Sequence, residues 1–414
     1  MISPISQNSS VLFKPYWWES LNDTASLNKE IPEGLDLLVI GGGYTGLSAA
    51  RVAHDLGART AVVDAGVAGK GASTQNGGMF GAHPRVGWKT LAQKFGENVA
   101  DEIFKEASDA QIFVEKIIKD ENIDCDLEQS GRIQLAWSQM DFEKQKVLVS
   151  FIKEKTNISV SIIPREQLYK EIKTDRYYGG ILFEDHCGLN PAKFHTGLAI
   201  SLKLRNVPII EKTPIISVNK ENGGFRVFTK DQNVFVKHVI MATNGYTRDQ
   251  FIWFQRRVFP VPSYLIATED LPPDLISELA PGRRMMVETR AQYNYFRISP
   301  DGKKIIFGGR ASLKPIPLDL AASRLKTSLN DIWPELLEYG ISYSWTGNTG
   351  YSFNHLPHVG QKEGIYYAMG FSGSGTVLAP YLGAKAAFQV FNDPRGQTPY
   401  QKTTFKTSSV HRMS

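Results

Sequence analysis

The stretch Gly41-Gly42-Gly43-Tyr44-Thr45-Gly46 has residue types and spacing that can do chemistry. It lies between an apolar run of strand length, Leu35 to Ile40, and a helical pattern from about Tyr44 to Leu56. Gly41 permits a tight turn, Gly43 leaves room for a pyrophosphate against the backbone, and Gly46 lets the helix pack close to the strand. The free N–H groups and the positive end of the helix, at Tyr44 and Thr45, would meet the phosphates. A second short strand, Thr60 to Asp64, ends on an acid about 20 residues further on, where a carboxylate can accept hydrogen bonds from ribose hydroxyls. Ala65 follows it. This much describes a dinucleotide site and suits NAD and FAD equally. A βαβ unit whose glycine loop has lost its ligand is the plainer alternative.

Three further segments separate the two cofactors. Gly69 to Gly81 is rich in small residues, with Gly71, Ala72, Ser73, Asn76, Gly77, Gly78 and Met79 the candidate contacts. Its free N–H groups suit a loop laid along a long, extended cofactor. The third segment is a strand, Val239 to Met241, running into a small-residue turn at Ala242, Thr243, Asn244 and Gly245. The fourth is Gly370 to Thr376, with Phe371, Ser372, Gly373, Ser374, Gly375 and Thr376 leading into a helical Leu378 to Val390. A glycine loop at a helix N-terminus stabilises negative charge. In a flavoprotein that charge would be the reduced ring near N1 and the C2 carbonyl oxygen. Ile215, at the start of a strand, completes the candidate cofactor set. The reading is therefore FAD.

These segments need a frame. The first strand, the helix with Gly57 at its C-terminal end, and the second strand form a βαβ unit, hence parallel strands and a right-handed crossover. Val99 to Ile118 repeats apolar residues at spacings of four and three, a core-facing stripe. Arg132 to Trp137 is expected as a strand and Asp141 to Lys155 as a helix. A helix follows Pro191, then strands at Ile215 to Asn219, Phe225 to Thr229 and Val234 to Met241. Residues 251 to 340 are rich in proline and aromatics and lack βαβ order, which suggests a second domain inserted into the first. From Trp345 the glycine-rich style of the first domain returns.

A chain of 414 residues is expected to hold two domains. No apolar run approaches the ~20 residues that span a bilayer, and residues 1 to 13 lack the basic start and apolar stretch of a secretory signal. The net charge of +5 is scattered without a basic stripe, so neither nucleic acid nor membrane insertion is expected. Cys125 and Cys187 form no disulfide framework and no metal cluster. Two reduced thiols in a cytoplasmic protein are the simpler reading, and no metal site is expected.

Taken in order, these segments resemble the D-amino-acid oxidase-like family of FAD-dependent oxidoreductases. Residues 16–19, 39–48 and 71–78 carry the resemblance, with Ala242 to Gly245, Trp345 to Gly347, Leu356 to Gly360 and Tyr367 to Gly375. The likeness covers nearly the whole chain, and the branch it most resembles is that of the gamma-glutamylputrescine oxidases. It implies an α/β fold (α+β overall). A discontinuous Rossmann-like FAD-binding domain, residues 1–90, 150–250 and 341–414, would interleave with a substrate-binding domain, 91–149 and 251–340, on a mixed, mostly antiparallel β-sheet. It implies oxidation of a C–N bond, with hydride passing to flavin N5 and the imine hydrolysing to an aldehyde or keto product. Oxygen or another acceptor would reoxidise the flavin.

Departures from the family pattern narrow this. The C-terminal third has no cysteine, and Asn76 stands where relatives with histidine-linked flavin carry the histidine, so the FAD is expected to be non-covalent. Amino-acid oxidases of the family hold the substrate carboxylate with an arginine just after the Trp-x-Gly segment. This chain has Asn348-Thr349-Gly350-Tyr351 there, which favours a small amine substrate unless Arg297 or Arg310 substitutes. Ile306 takes the place of the lysine of the sarcosine oxidase branch, leaving the acceptor open.

The candidate substrate residues are Tyr351, His83, Arg297, Tyr295 and Tyr264. Tyr293, Tyr295 and Arg297 alternate along a strand and share one face. That face is a cavity wall or ordinary sheet packing. His83 and Arg85 follow the loop expected under the flavin, and His355 and His358 read as structural. The resulting reading is an FAD-dependent amine oxidase or dehydrogenase acting on a primary or secondary amine, gamma-glutamyl-amine-like or N-substituted. The alternatives are an amino-acid oxidase of the glycine or sarcosine type, an NAD-dependent dehydrogenase, and a non-catalytic flavin-binding protein.

Overall fold

The computed structural model describes residues 11–21, 30–81, 84–312 and 314–407. Two eight-stranded sheets organise it. The apolar run Leu35–Ile40 becomes a central strand because it is covered on both faces, as parallel strands must be. It pairs in parallel with Thr60–Val63 on one side and Asn233–Met241 on the other. Ile209–Ile210 and Ile365–Met369 extend the parallel set outward. Antiparallel additions finish this first sheet: His358–Lys362 at one edge, and the hairpin strands Ser217–Glu221 and Gly224–Phe228 beside Asn233–Met241.

Two helices pack on this sheet where the cofactor segments require them. Tyr44–Asp55 follows the first strand, and Gly375–Val390 lies against it. A Cβ on Gly383 would overlap the Thr45 carbonyl, so the two helices touch backbone to backbone. Glu97–Asp120 packs over them with Ile103, Ala107, Ala110, Val114 and Ile117 buried, the stripe read from the sequence.

The second sheet runs in the order Ile341–Ser352, Val258–Thr268, Ile305–Gly309, Asn294–Ile298, Met285–Glu288, Arg132–Leu135, Gly179–Phe183, Val160–Pro164. All of its pairs are antiparallel except Met285–Glu288 with Arg132–Leu135. Leu318–Ile332 covers one face, burying Ala321, Leu325 and Leu329. The other face turns toward the first domain. This is the mixed, mostly antiparallel sheet expected of the second domain.

Its membership differs from the expected boundaries in two places, and the helix Glu97–Asp120, expected with the second domain in 91–149, packs in the core of the first. Val160–Pro164 and Gly179–Phe183 lie in the second sheet, although 150–250 was expected with the first. Ile341–Ser352 also pairs there, against Val258–Thr268, although 341–414 was expected with the first. The reason is that strand partners are chosen by long-range packing, which short apolar runs do not encode. Ile341–Ser352 in fact serves both domains: its far end bridges Tyr351 to Phe371 in the fourth cofactor segment.

Local boundaries moved less. The helix expected from Asp141 spans Gln139–Lys155, because Ser138 Oγ caps it by accepting from Asp141 N at 3.1 Å. The helix after Pro191 ends at Leu204 and is capped by Asn190.

Candidate active site

The first and third segments meet at the carboxyl ends of neighbouring parallel strands. Ile40 is opposite Met241, and Ala242 N donates to Ile40 O at 2.8 Å. Gly41 adopts φ 116°, and a Cβ there would lie 2.8 Å from the Ala242 carbonyl carbon. At Gly46 a Cβ would overlap the Gly41 carbonyl, which is the close helix-to-strand approach its position called for. Asp64 closes the turn from the other side. Its carboxylate accepts from Gly42 N and Gly66 N, both at 2.8 Å, while still lining the cleft.

The second segment folds back over this turn. Ser73 Oγ accepts from Tyr44 N at 3.1 Å, so a hydroxyl stands at the helix N-terminus where a phosphate oxygen would go. A Cβ on Gly43 would come within 2.8 Å of that hydroxyl. The fourth segment supplies Ser374 as the N-cap of Gly375–Val390 without a side-chain cap, leaving first-turn N–H groups to be met by a ligand. Segments three and four are tied together by Asn244, whose Oδ1 accepts from Gly370 N at 2.9 Å.

All four segments line one continuous cleft of about 1340 Å³ between the two sheets. Sites for small ligands run to roughly 1,000 Å³, so the cleft has room for a long dinucleotide and a substrate beyond it. Two helix N-termini, a glycine cradle and an acid at the ribose position fit FAD. Most of the candidate cofactor residues line the cleft, including Ile215 at the Asp64 end. Gly46, Gly78, Gly245 and Ser372 do not line it. Instead they shape the backbone behind it. Gly78 and Ser372 adopt positive φ of 68° and 52°, and Ser372 Oγ donates to Gly370 O.

The loop of the second segment is pinned from beneath. Trp17 Nε1 donates to Asn76 O, Trp18 Nε1 to Thr74 Oγ1 and Trp345 Nε1 to Gln75 O, at 2.8 to 3.0 Å. The Asn76 amide bonds Ala72 O and Ser73 O while its oxygen accepts from Gly78 N, so its side chain holds the loop's own backbone. Arg297 belongs to the same device. It was expected to face the substrate. It is buried, lies outside the cleft lining, and donates to Gly78 O at 2.8 Å and Leu189 O at 3.1 Å. Burial brings its pKa down to about 10, so it stays charged at neutral pH. Its expected partner, a carbonyl, is the protein's own.

Tyr264 also falls away from the cleft. It is buried in the core of the second domain, where its hydroxyl accepts from Ile316 N at 2.8 Å. Strand alternation is the cause: its neighbour Ser263 faces the cleft, so Tyr264 faces the opposite side. His83 lies outside the described residues.

Tyr295 and Tyr351 do meet in the cleft. The Tyr295 ring lies across Gly308, its cross-strand partner, and against Gly77, where a Cβ would come within 2.8 Å of it. Its hydroxyl pairs with Ser263 Oγ at 2.8 Å. Tyr351 accepts from Arg310 Nη2 at 2.9 Å. Around them stand Tyr293, Arg85 and Arg310, each named from the sequence for a wall, lining or anion-holding role, and His355, which was read as structural. Both guanidiniums lie over the same two rings. Arg85 is 5.6 and 5.5 Å from the Tyr293 and Tyr351 centroids, and Arg310 is 5.7 and 5.2 Å away. Burial pushes the Tyr293 phenol up, but Arg85, the Tyr351 hydroxyl and Arg310 outweigh it and hold it below its ordinary range. Burial, then Arg85 and Arg310, hold His355 below the usual histidine value. The sequence signal for this cluster was slight: Arg85 and Arg310 each follow a glycine-rich stretch, and nothing local joins them.

One further residue gave no signal. His195, buried on the helix Pro191–Leu204, donates from Nε2 to Gly42 O at 2.7 Å and steadies the first glycine turn. Burial keeps it neutral.

Comparison with known proteins agrees with this geometry. The chain is 27% identical over 351 residues to the probable oxidoreductase OrdL of Rhizobium meliloti (strain 1021), covering 84% of this chain and 81% of that one. It is 27% identical over 379 residues to the gamma-glutamylputrescine oxidoreductase of Escherichia coli (strain K12), covering 89% and 86%. The crystal structure of glycine oxidase from Geobacillus kaustophilus superposes with a TM-score of 0.74 at 16% identity, over 91% of this chain and 98% of that one, which is a likeness of fold. The model of the family DAO, FAD dependent oxidoreductase, matches residues 36–389. The chain that builds this glycine-lined cleft therefore belongs to the DAO family of FAD-dependent oxidoreductases.

Proposed function

We propose that this enzyme oxidises the C–N bond of a small amine to an imine, which hydrolyses to an aldehyde or keto product. The observation that carries the reading is the junction of two sites in one cleft. Gly373 of the fourth cofactor segment lies 3.6 Å, from its Cβ position, from both Arg85 Nη1 and the Tyr351 hydroxyl. Gly77 of the second segment lies under the Tyr295 ring. A substrate between these tyrosines would therefore sit against the segments that hold the flavin ring. Bound there, FAD supplies the two-electron acceptor for the carbon beside the amine nitrogen.

The chain's own residues support an amine that reacts in its neutral form. Glu288 and Asp64 are the carboxylates among the described cleft-lining residues. Glu288 already accepts from Arg290 at 2.6 Å, Tyr177 at 2.8 Å and Asn294 N at 2.9 Å, and Asp64 is at the ribose end. Neither is placed to keep an ammonium charged. Arg85 and Arg310 instead disfavour a bound cation, which lowers the amine's own pKa. The rings of Tyr293, Tyr295 and Tyr351 line that end of the cleft.

The electron acceptor in this proposal is oxygen or another oxidant. Lys304 pairs with Asp270 at 2.6 Å and does not line the cleft. A cytoplasmic location is also proposed, on the strength of two buried, unpaired thiols, Cys125 and Cys187. Among the described residues no helix is long and apolar enough to cross a membrane. The test is product analysis. With an amine and an artificial electron acceptor, a carbonyl product should be trapped by a hydrazine in proportion to acceptor reduced. Acceptor reduction without any carbonyl product would reject C–N oxidation.

A further inference from the structure

The geometry points to an anion-binding subsite made by Arg85 and Arg310, built for a substrate end that carries two negative charges. This inference rests on the amine-oxidoreductase reading and names what the amine must also bear.

The two guanidiniums come from different domains. Arg85 follows the second cofactor segment, and Arg310 directly follows the strand Ile305–Gly309 of the second sheet. They converge over the rings of Tyr293 and Tyr351, so two like charges share one small region. Neither has a carboxylate partner among the described residues. Arg310 donates to the Tyr351 hydroxyl at 2.9 Å and Arg85 to the Tyr293 hydroxyl at 3.5 Å. Both side chains line the cleft, with Arg85 open to it and Arg310 half-buried.

Two adjacent cations without a counterion repel each other and attract an anion. A monoanion would neutralise one of them. A phosphonate-like group, or two carboxylates, neutralises both and offers enough acceptors for two planar forks. The flavin's pyrophosphate does not fill this role. Its cradle, at Gly43, Tyr44 and Ser73, belongs to the opposite end of the cleft, with Asp64. The subsite also answers the lack of an arginine beside Asn348 and Thr349: the charge is supplied from Arg310 and Arg85. The depressed Tyr293 and His355 values are consistent with a positive local field.

The test uses FAD-saturated full-length enzyme and calorimetric titration with malonate, inorganic phosphate and acetate. Malonate or phosphate is expected to bind at least tenfold tighter than acetate. The tighter of the two identifies a dicarboxylate or a phosphonate-like end. Arg85→Gln and Arg310→Gln should each weaken that binding tenfold or more, and Arg310→Lys should recover part of it. Acetate binding as tightly as both dianions would overturn the proposal, and so would unchanged dianion binding in both glutamine variants. Should a glutamine variant fold poorly, the wild-type ratio of malonate or phosphate to acetate still decides. Heat of binding needs no turnover, so the result stands apart from whether any amine reduces the flavin.

Discussion

Arg297 and Arg310 show how the same residue type divides into two jobs. Arg310 reaches a tyrosine in the cleft, whereas Arg297 spends its donors on the carbonyls of Gly78 and Leu189. A buried carbonyl left without a donor costs about 1–3 kcal/mol. Arg297→Met leaves Leu189 O without that donor, while Gly78 O keeps the Leu189 N–H at 2.9 Å, so it should lower stability by about 1–3 kcal/mol and loosen the flavin loop. Thermal unfolding and FAD titration check this. At full FAD occupancy the KM for the amine should be unchanged, and a raised KM would return Arg297 to the substrate. His358 allows a pH prediction. It is buried, stacked on Phe405 at 4.1 Å, and donates from Nε2 to Asn354 at 2.9 Å. Burial drops its pKa from 6.5 to about 3. The folded value lies below the unfolded one, so its contribution is complete above pH 6.5 and drains away as pH falls toward 3. The full effect is on the order of 5 kcal/mol at about 1.4 kcal/mol per unit. His358→Gln should flatten that part of the acid-unfolding curve. An unchanged curve would mean that another group sets the acid limit.

At the scale of elements, the helices Tyr44–Asp55 and Gly375–Val390 join the first and fourth cofactor segments. Gly383 makes their approach possible, since a Cβ there would overlap Thr45 O. Gly383→Ala should cost about 1–3 kcal/mol by overpacking. It should also weaken FAD binding, because the helix N-termini would separate. Urea unfolding and the flavin content of the purified variant measure both, and a variant with wild-type stability would contradict the backbone contact. The glycine turn at Gly41 was legible in the sequence because its strand, turn and helix are contiguous and each glycine has a local steric reason. The stripe in Glu97–Asp120 was legible because helical periodicity is local too. The pairing of Ile341–Ser352 with Val258–Thr268 was not, since nothing in either strand names its partner. Tyr264 failed by strand phase alone: one residue of offset turns a side chain from cleft to core. Arg85 and Arg310 were each named from the sequence, but their convergence was not legible, as the two lie far apart in the chain and meet only when the sheets do.

Across the whole molecule, the first sheet supplies the cofactor cradle and the second supplies the wall of tyrosines and Arg310. The cleft exists only between them. Ile341–Ser352 and the loop over Trp17, Trp18 and Trp345 are the physical ties, so FAD should stabilise both domains together. Saturating FAD at 100 times its Kd adds about 2.7 kcal/mol to the folded state. One cooperative transition moving upward with FAD is expected in calorimetry. A lower transition that ignores FAD would show the second domain to be uncoupled. No cysteine lies in the C-terminal third, and Asn76 is occupied with its own loop. The flavin is thus expected to be freely released on denaturation, and flavin remaining on the precipitated chain would argue for a covalent link. The most direct measurement of the central claim is anaerobic titration of the FAD-loaded enzyme with amines, following the visible flavin band. The panel should span polyamines, N-methyl amino acids, aminophosphonates and glutamyl-amines. The account predicts that at least one of them bleaches the band stoichiometrically. If dithionite bleaches the flavin and no amine in the panel does, the enzyme does not oxidise amines.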